Sequence, residues 1–301
     1  VIYASDHFVL PLPDGHRFPM AKYRMLRERV AAIAAGRMRV PEPATDAELG
    51  RAHDPAYVRA VADGRLDERA MRRIGFPWSP AMVERSRRSA GATLGACRSA
   101  LDAGVGVNLA GGTHHAHRAF GEGFCVFNDA AVAIRTLQWE GALRRALVVD
   151  LDVHQGDGTA AIFAGDPDVV TLSIHGRQNF PFRKAASTID VELDDGTGDD
   201  AYLGTLGNVL PRAIERARPD LAIYLAGADP YAGDRLGRLA LSKAGLADRD
   251  RYVLDRLAAA GVPVAIVMAG GYAEDVDDIV DIHFSTVCLA LGRGESPGAP
   301  C

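Results

Sequence analysis

The sequence predicts an α/β fold: a single domain on an open central parallel β-sheet, flanked by helices on both faces. Three observations predict it. Apolar runs of strand length recur along the chain, and nearly continuous apolar runs fit strands covered on both faces. Stretches of helical periodicity are interspersed with them, and strands alternating with helices build βαβ units. No repeat, linker or long low-complexity segment divides the 301 residues, so 1–301 reads as one domain with an expected mobile tail at 292–301, GRGESPGAPC. In chain order, the helical stretches and apolar runs begin with helix 19–35 (PMAKYRMLRERVAAIAA), helix 80–103 and strand 105–110 (VGVNLA). Helix 128–139, strand 145–153 (RALVVDLDV) and strand 168–174 (DVVTLSI) follow. The pattern closes with helix 200–217, strand 221–228 (LAIYLAGA), helix 243–260 and strand 263–270 (PVAIVMAG).

Composition narrows the function classes. The chain is 48% apolar and 24% charged, enough apolar residues for a large core. Its formal net charge of −5 gives no electrostatic footprint for nucleic acid. No run reaches the roughly 18 apolar residues of a membrane span. The four cysteines, Cys97, Cys125, Cys288 and Cys301, are scattered without a C-x-x-C pair. With an opening segment that lacks a basic n-region, they lead to the expectation of a reduced, cytoplasmic protein.

In parallel α/β sheets, ligands bind where strands end, and here the strand ends are chemically unusual. The run ALVV leads into DLDVHQGDG, with Asp150, Asp152, His154 and Asp157. Strand side chains alternate, so 150, 152 and 154 point the same way. Solvation of an ordinary loop is the plain explanation. Yet two carboxylates and an imidazole on one side oppose each other unless a positive group sits among them. A divalent metal is the simplest such group, and an oxygen–nitrogen ligand pair suits zinc. The run IYLAGADPYAGD brings Asp229 to another strand end. It is either a loop acid or the third ligand of an Asp2His set, and three ligands with one open position is the catalytic pattern. GGTHHAH supplies His114, His115 and His117, with imidazoles suited to accept a proton near neutrality. MAGGY ends the last run with Tyr272, either rim packing or a phenol aimed at a developing oxyanion.

Together, GGTHH, GFCVFND, DLDVHQGDG, GAD and GGY, in this order, make the chain resemble the zinc-dependent histone deacetylase family, especially its class IV-like and bacterial members. The resemblance extends from HRFPMAKYRM to AGGY and implies an arginase-like open α/β fold. It implies Asp152, His154 and Asp229 as ligands of one zinc, with ferrous iron the alternative. It implies His114 and His115 as the tandem catalytic histidines, backed by Asp150 and Asp157, and Tyr272 as the carbonyl-polarising tyrosine. Phe124, Phe180 and Gly123 resemble the channel lining, and Leu236 a rim position. Arg24 resembles an arginine lining an internal cavity below the metal. Asp150, Asp152, His154, Ser173 and Ile174 resemble a structural potassium site. The implied reaction removes an acyl group from the side-chain amine of lysine by metal-activated water, with His115 moving the proton and an acyl-lysine protein or peptide, or an acylated small amine, as substrate.

Other readings make different demands. A dinuclear ureohydrolase needs further carboxylates where this chain has Gly156 and Gly227. An inactive acyl-lysine-binding module would lack a ligand, a histidine or the tyrosine, and all are present. An acetylpolyamine amidohydrolase would carry an acid at the rim position of Leu236. Asp234 lies close by and could attract a cation itself, although the resemblance places it in a structural turn.

Overall fold

A computed structural model of the chain describes residues 1–292. The tail expectation therefore falls almost entirely outside the described residues. Eight strands form one sheet: β1 (Ile2–Tyr3), β2 (Met38–Arg39), β3 (Val105–Asn108), β4 (Ala146–Asp150), β5 (Val169–Gly176), β6 (Ile189–Leu193), β7 (Leu221–Leu225) and β8 (Val264–Val267). Their order is β2-β1-β3-β8-β7-β4-β5-β6, and every neighbouring pair is parallel. All carboxyl ends therefore open on one rim.

Side-chain alternation divides each central strand between two cores. Leu147 and Val149 of β4, Ala222 and Tyr224 of β7, and Val264 and Ile266 of β8 pack into one core. Ala146 and Val148, Leu221 and Ile223, and Ala265 and Val267 pack into the other. Period-two geometry requires this, and it explains why these strands are apolar throughout. Helices α1 (Ala21–Ala34), α8 (Asp199–Ala217), α9 (Lys243–Ala259) and α10 (Val276–Leu291) contribute to the first core. Helices α5 (Pro80–Ala103) and α6 (Asp129–Trp139) contribute to the second, with the shorter α2 (Asp46–Ala52), α3 (Pro55–Ala62) and α4 (Glu68–Ile74) around them.

Each of the five expected strands and five expected helices is present. The unexpected elements are short, at an edge, or beyond the last motif. β1 and β2 have two residues each, and β6 is a half-exposed edge strand. Helices α2, α3, α4 and α7 (Asp157–Ile162) have six to eight residues. The first three are signalled mainly by their caps, Thr45, Asp54 and Asp67, whose side chains accept backbone N–H groups.

A buried arginine braces the rim from below. Arg249 of α9 is fully buried and donates Nη1 to the carbonyls of Gly227 and Leu151, at 2.7 and 3.3 Å. These carbonyls lie just before Asp229 and Asp152. Asp250 accepts from Arg249 Nε at 2.8 Å, from the Tyr224 hydroxyl and from Thr286. Removing one partner of a buried ion pair strands the other charge, which costs about 3–5 kcal/mol. Asp250→Ala should therefore lower unfolding stability by about that amount. A urea midpoint equal to wild type would show that the network carries no stability.

Candidate active site

The strand ends converge as the sequence predicted. Asp152, His154 and Asp229 are all buried, and their ligand-type atoms lie within 4.8 Å of one another. His154 Nδ1 is 3.0 Å from Asp152 Oδ1 and 3.2 Å from Asp229 Oδ2. The carboxylates are held by the backbone. Gly270 N–H donates to Asp152 Oδ2 at 2.8 Å, and Val153 N–H to Asp229 Oδ1 at 3.0 Å. Asp229 Oδ2 is buried with no hydrogen-bond partner. A buried, unpaired carboxylate oxygen beside a second acid and an imidazole is the donor set a divalent cation satisfies. Burial, followed by the charge on Asp152, pushes the Asp229 carboxyl up to about 7. These two acids cannot both be comfortably ionised without a positive partner.

Glycines leave space for one cradle. A Cβ on Gly270 would lie 1.9 Å from Asp229 Oδ2 and 2.6 Å from Asp152 Oδ2. At Gly156 and Gly227, where a dinuclear enzyme would need acids, a Cβ would lie 2.4 Å from Asp150 Oδ2 and 2.8 Å from Asp229 Oδ1. His117, Glu122 and Asp157 also bring ligand-type atoms together. There, however, both Asp157 oxygens are engaged by histidines.

His114 Nδ1 and His115 Nδ1 lie 2.7 Å from Asp150 Oδ2 and Asp157 Oδ1. Each carboxylate fixes the proton on the near nitrogen and leaves Nε2 for the site. His117 Nε2 holds the other Asp157 oxygen at 3.1 Å. The two catalytic-candidate imidazoles differ electrostatically. Burial alone would lower His114, but the charges of Asp150 and Asp152 outweigh it and raise the group to about 9. Burial and then the charge on His114 lower His115 to about 4. Near neutrality this leaves one charged and one neutral imidazole, with ring centroids 4.2 Å apart.

The GGTHH loop owes its shape to the ND of GFCVFND. Asp129, at the start of α6, accepts from the N–H groups of Gly112 and Thr113. Asn128 caps α6 through its carbonyl and donates to the Ala116 carbonyl at 3.1 Å. Gly112 has φ +74°, and a Cβ there would meet Ala269 at 2.4 Å, so the loop needs glycine for both conformation and space.

Tyr272 lies 6.5 Å from His154, ring to ring. Burial, then the charges of Asp152 and Asp229, hold its phenol well above its ordinary value, so it remains a donor. Asp234 accepts from the Tyr272 N–H at 2.6 Å and from those of Leu236 and Gly237. Asp234 is therefore committed to a turn, as the resemblance implied. Arg235 Nε donates to the Tyr272 carbonyl at 2.9 Å.

Above these groups opens a cleft of about 1010 Å³, lined by His115, Gly123, Phe124, His154, Phe180, Leu236 and Tyr272 among others. Phe180 sets its edge against His115, and Phe124 lies 6.1 Å from Tyr272. Lys184 fastens the Phe180 loop by donating to the carbonyls of Arg177, Asn179 and Pro181. Ser173 pairs with Asp150 across β4 and β5, with Ile174 next to it.

Arg24 is a correction. Its side chain is 61% exposed and pairs with Glu28 on the surface. The buried cation of α1 is Lys22, which donates to the Gly271 carbonyl at 3.2 Å among the rings of Phe18, Tyr23 and Tyr272. The arginine that lines the small inner cavity near Tyr23 is Arg85 of α5. A helix turns about 100° per residue, so positions 22 and 24 face nearly opposite ways. When Lys22 points inward, Arg24 points to water. Lys22, Asn128, Asp129 and Arg249 were not singled out from sequence. The ND pair and Lys22 lay in quoted stretches without being assigned a role, and Arg249 is a single charge in an ordinary helix.

An open parallel α/β sheet with an Asp2His cradle, carboxylate-backed histidines and a phenol at its rim defines a hydrolase of the arginase–deacetylase architecture. The Histone deacetylase domain family matches residues 16–287, and the chain belongs to that family, whose enzymes hydrolyse amides. It is 46% identical over 286 residues to an uncharacterized protein of Picosynechococcus sp., covering 94% of this chain and 95% of that one. It is 31% identical to a histone deacetylase-like amidohydrolase of Pseudomonas aeruginosa, over 88% of this chain and 74% of the relative. It spans about half, 49%, of the length of Histone deacetylase 2 of Arabidopsis thaliana. The crystal structure of a histone deacetylase homologue from Aquifex aeolicus superposes with a TM-score of 0.84 at 24% identity, covering 97% of this chain and 83% of that one.

The cradle makes a steric prediction. Gly270→Ala should abolish stoichiometric metal binding, because its methyl group takes the space between the two carboxylates. Metal analysis of the purified, folded variant tests this, and one tightly held ion per chain would refute it.

Proposed function

We propose that the chain is a metal-dependent lysine deacylase, hydrolysing the side-chain amide of an acyl-lysine in a protein or peptide. The observation that carries this reading is the buried Asp229 Oδ2, which accepts no hydrogen bond, in the Asp2His cradle below a cleft that holds His115 and Tyr272. Asp152, His154 and Asp229 would hold zinc, with ferrous iron the alternative for this donor set. When bound, the ion supplies Lewis acidity and makes water more acidic. A structural potassium at Asp150, Asp152, His154, Ser173 and Ile174 is proposed on the family pattern.

The rest follows from the chain's own groups. Phe124, Phe180 and Gly123 receive the lysine stem and hold the amide at the floor. Neutral His115 accepts a proton from the attacking water at Nε2, while Asp157 fixes the ring and stabilises it once charged. The same nitrogen returns the proton to the leaving amine. His114, paired with Asp150, keeps positive charge beside the developing negative charge. Tyr272 donates its phenolic proton in a hydrogen bond to the carbonyl oxygen as charge builds there.

Leu236 supports lysine over polyamine substrates. It lines the cleft and offers no carboxylate to a distant amine, and Asp234 is already occupied by three backbone N–H groups. A carboxylate about 5 Å from a substrate cation would be worth at most about 3 kcal/mol at an effective dielectric near 20, or about a hundredfold.

Tyr272→Phe should retain metal and fold but lose roughly 10²–10³ in kcat, the scale for one oxyanion donor. Unchanged kcat would remove Tyr272 from the mechanism. In a panel of acyl-lysine peptides against acetylspermidine and acetylputrescine, the peptides should have the higher kcat/KM. Leu236→Glu should shift the ratio towards the polyamines. A wild-type preference of tenfold or more for acetylpolyamines would overturn the lysine assignment in favour of an acetylpolyamine amidohydrolase.

A further inference from the structure

The mouth of the cleft has a charge opposite to that of the chain. The sequence carries a net −5, yet Arg17, Arg72, Arg73, Arg235 and Arg238 line the opening, against one carboxylate, Glu122. All five arginines are exposed. Two have acidic partners in solvent-exposed pairs: Arg72 with Glu68, and Arg238 with Asp195. Among the described residues, Arg17, Arg73 and Arg235 have no ion-pair partner. Arg73 stacks on Phe120; burial and then the charge on Asp157 raise the Glu122 carboxyl, and the charge on Arg73 only partly offsets them. Arg235 is fixed by its bond to the Tyr272 carbonyl. The guanidinium groups come from three separate segments, 17, 72–73 and 235–238, which meet at the opening.

We infer that this arginine cluster selects acyl-lysines flanked by acidic residues and disfavours lysines in basic segments. The inference rests on the deacylase reading and specifies its substrate class. One exposed ion pair contributes little, but several like charges around a low-dielectric cleft focus a field on whatever approaches it. Guanidinium groups also bind carboxylates in two-pronged fashion, which favours Asp and Glu side chains on an extended peptide. Phe182, 87% exposed on the same rim, gives a polypeptide an apolar surface to cover, which a small anion could not use.

The test uses the full chain with zinc bound and three acetyl-lysine peptides of equal length, with Asp/Glu, Ala/Ser or Lys/Arg on both sides of the acetyl-lysine. The expected order in kcat/KM is acidic, then neutral, then basic. The two extremes should differ by at least about tenfold, or about 1.4 kcal/mol. The difference should reside in KM, since the cluster is remote from the reacting bond, and should shrink in high salt because exposed charges are screened. The double variant Arg17→Glu, Arg73→Glu should reverse the order, and Arg17→Gln, the milder change, should compress it. Equal kcat/KM for the three peptides, or an order indifferent to salt, overturns the inference and leaves the deacylase reading intact. Failure to hydrolyse any of the three overturns that reading and this one with it.

Discussion

Two buried carboxylates share one small space, and most of the site is organised around that fact. Asp152 and Asp229 arrive from neighbouring strands, β4 and β7, and direct oxygens to the same point beside His154. In an apolar interior such a pair repels and loses hydration. The fold answers with backbone N–H groups on the outer oxygens and a glycine where any side chain would intrude. Arg249 ties the two strand ends together from beneath. What remains unsatisfied is an inner oxygen, and that deficit gives a cation its binding energy.

The same economy of charge separates the two histidines. Both are buried, and both have a carboxylate on Nδ1. His114 also senses Asp152, the nearer acid of the cradle, at 3.9 Å. His115 instead faces the cleft, and its Asp157 is shared with His117. The acids around His114 hold it up, while burial and then the charge on His114 bring His115 down.

The rim is built differently from the floor. The cradle groups Asp152, His154 and Asp229 sit just beyond strand ends and inherit their positions from the sheet. The rim is loop, held by side chains that bond to backbone: Asp234 under Tyr272, Lys184 under Phe180, and Asn179, which donates to the Leu236 carbonyl at 2.7 Å. Loops held in this way can change their outward side chains without disturbing the chemistry below. Leu236 and the arginines can therefore vary while the cradle stays constant.

Much of this was legible in the chain itself. Continuous apolar runs between amphipathic stretches specified a parallel sheet, since only strands covered on both faces are apolar throughout. A parallel sheet puts its carboxyl ends on one rim, so DLDVHQGDG, GGTHH, GAD and GGY had to meet there. Local pattern could not decide which way a single charged side chain on a helix would turn. Arg24 and Lys22 are two residues apart on an ordinary amphipathic helix, and only the packing of α1 into the first core, beside α10, assigned one to water and the other to Gly271. Nor could it supply the arginine cluster or the Arg249 brace. These depend on residues far apart in sequence meeting across loops or beneath strands, and distance along the chain carries no signal of such encounters. Periodicity and strand-end chemistry are local and were determined by the sequence alone. The partnerships that hold the strand ends, and the charge presented at the mouth, are long-range, and tertiary packing decided them.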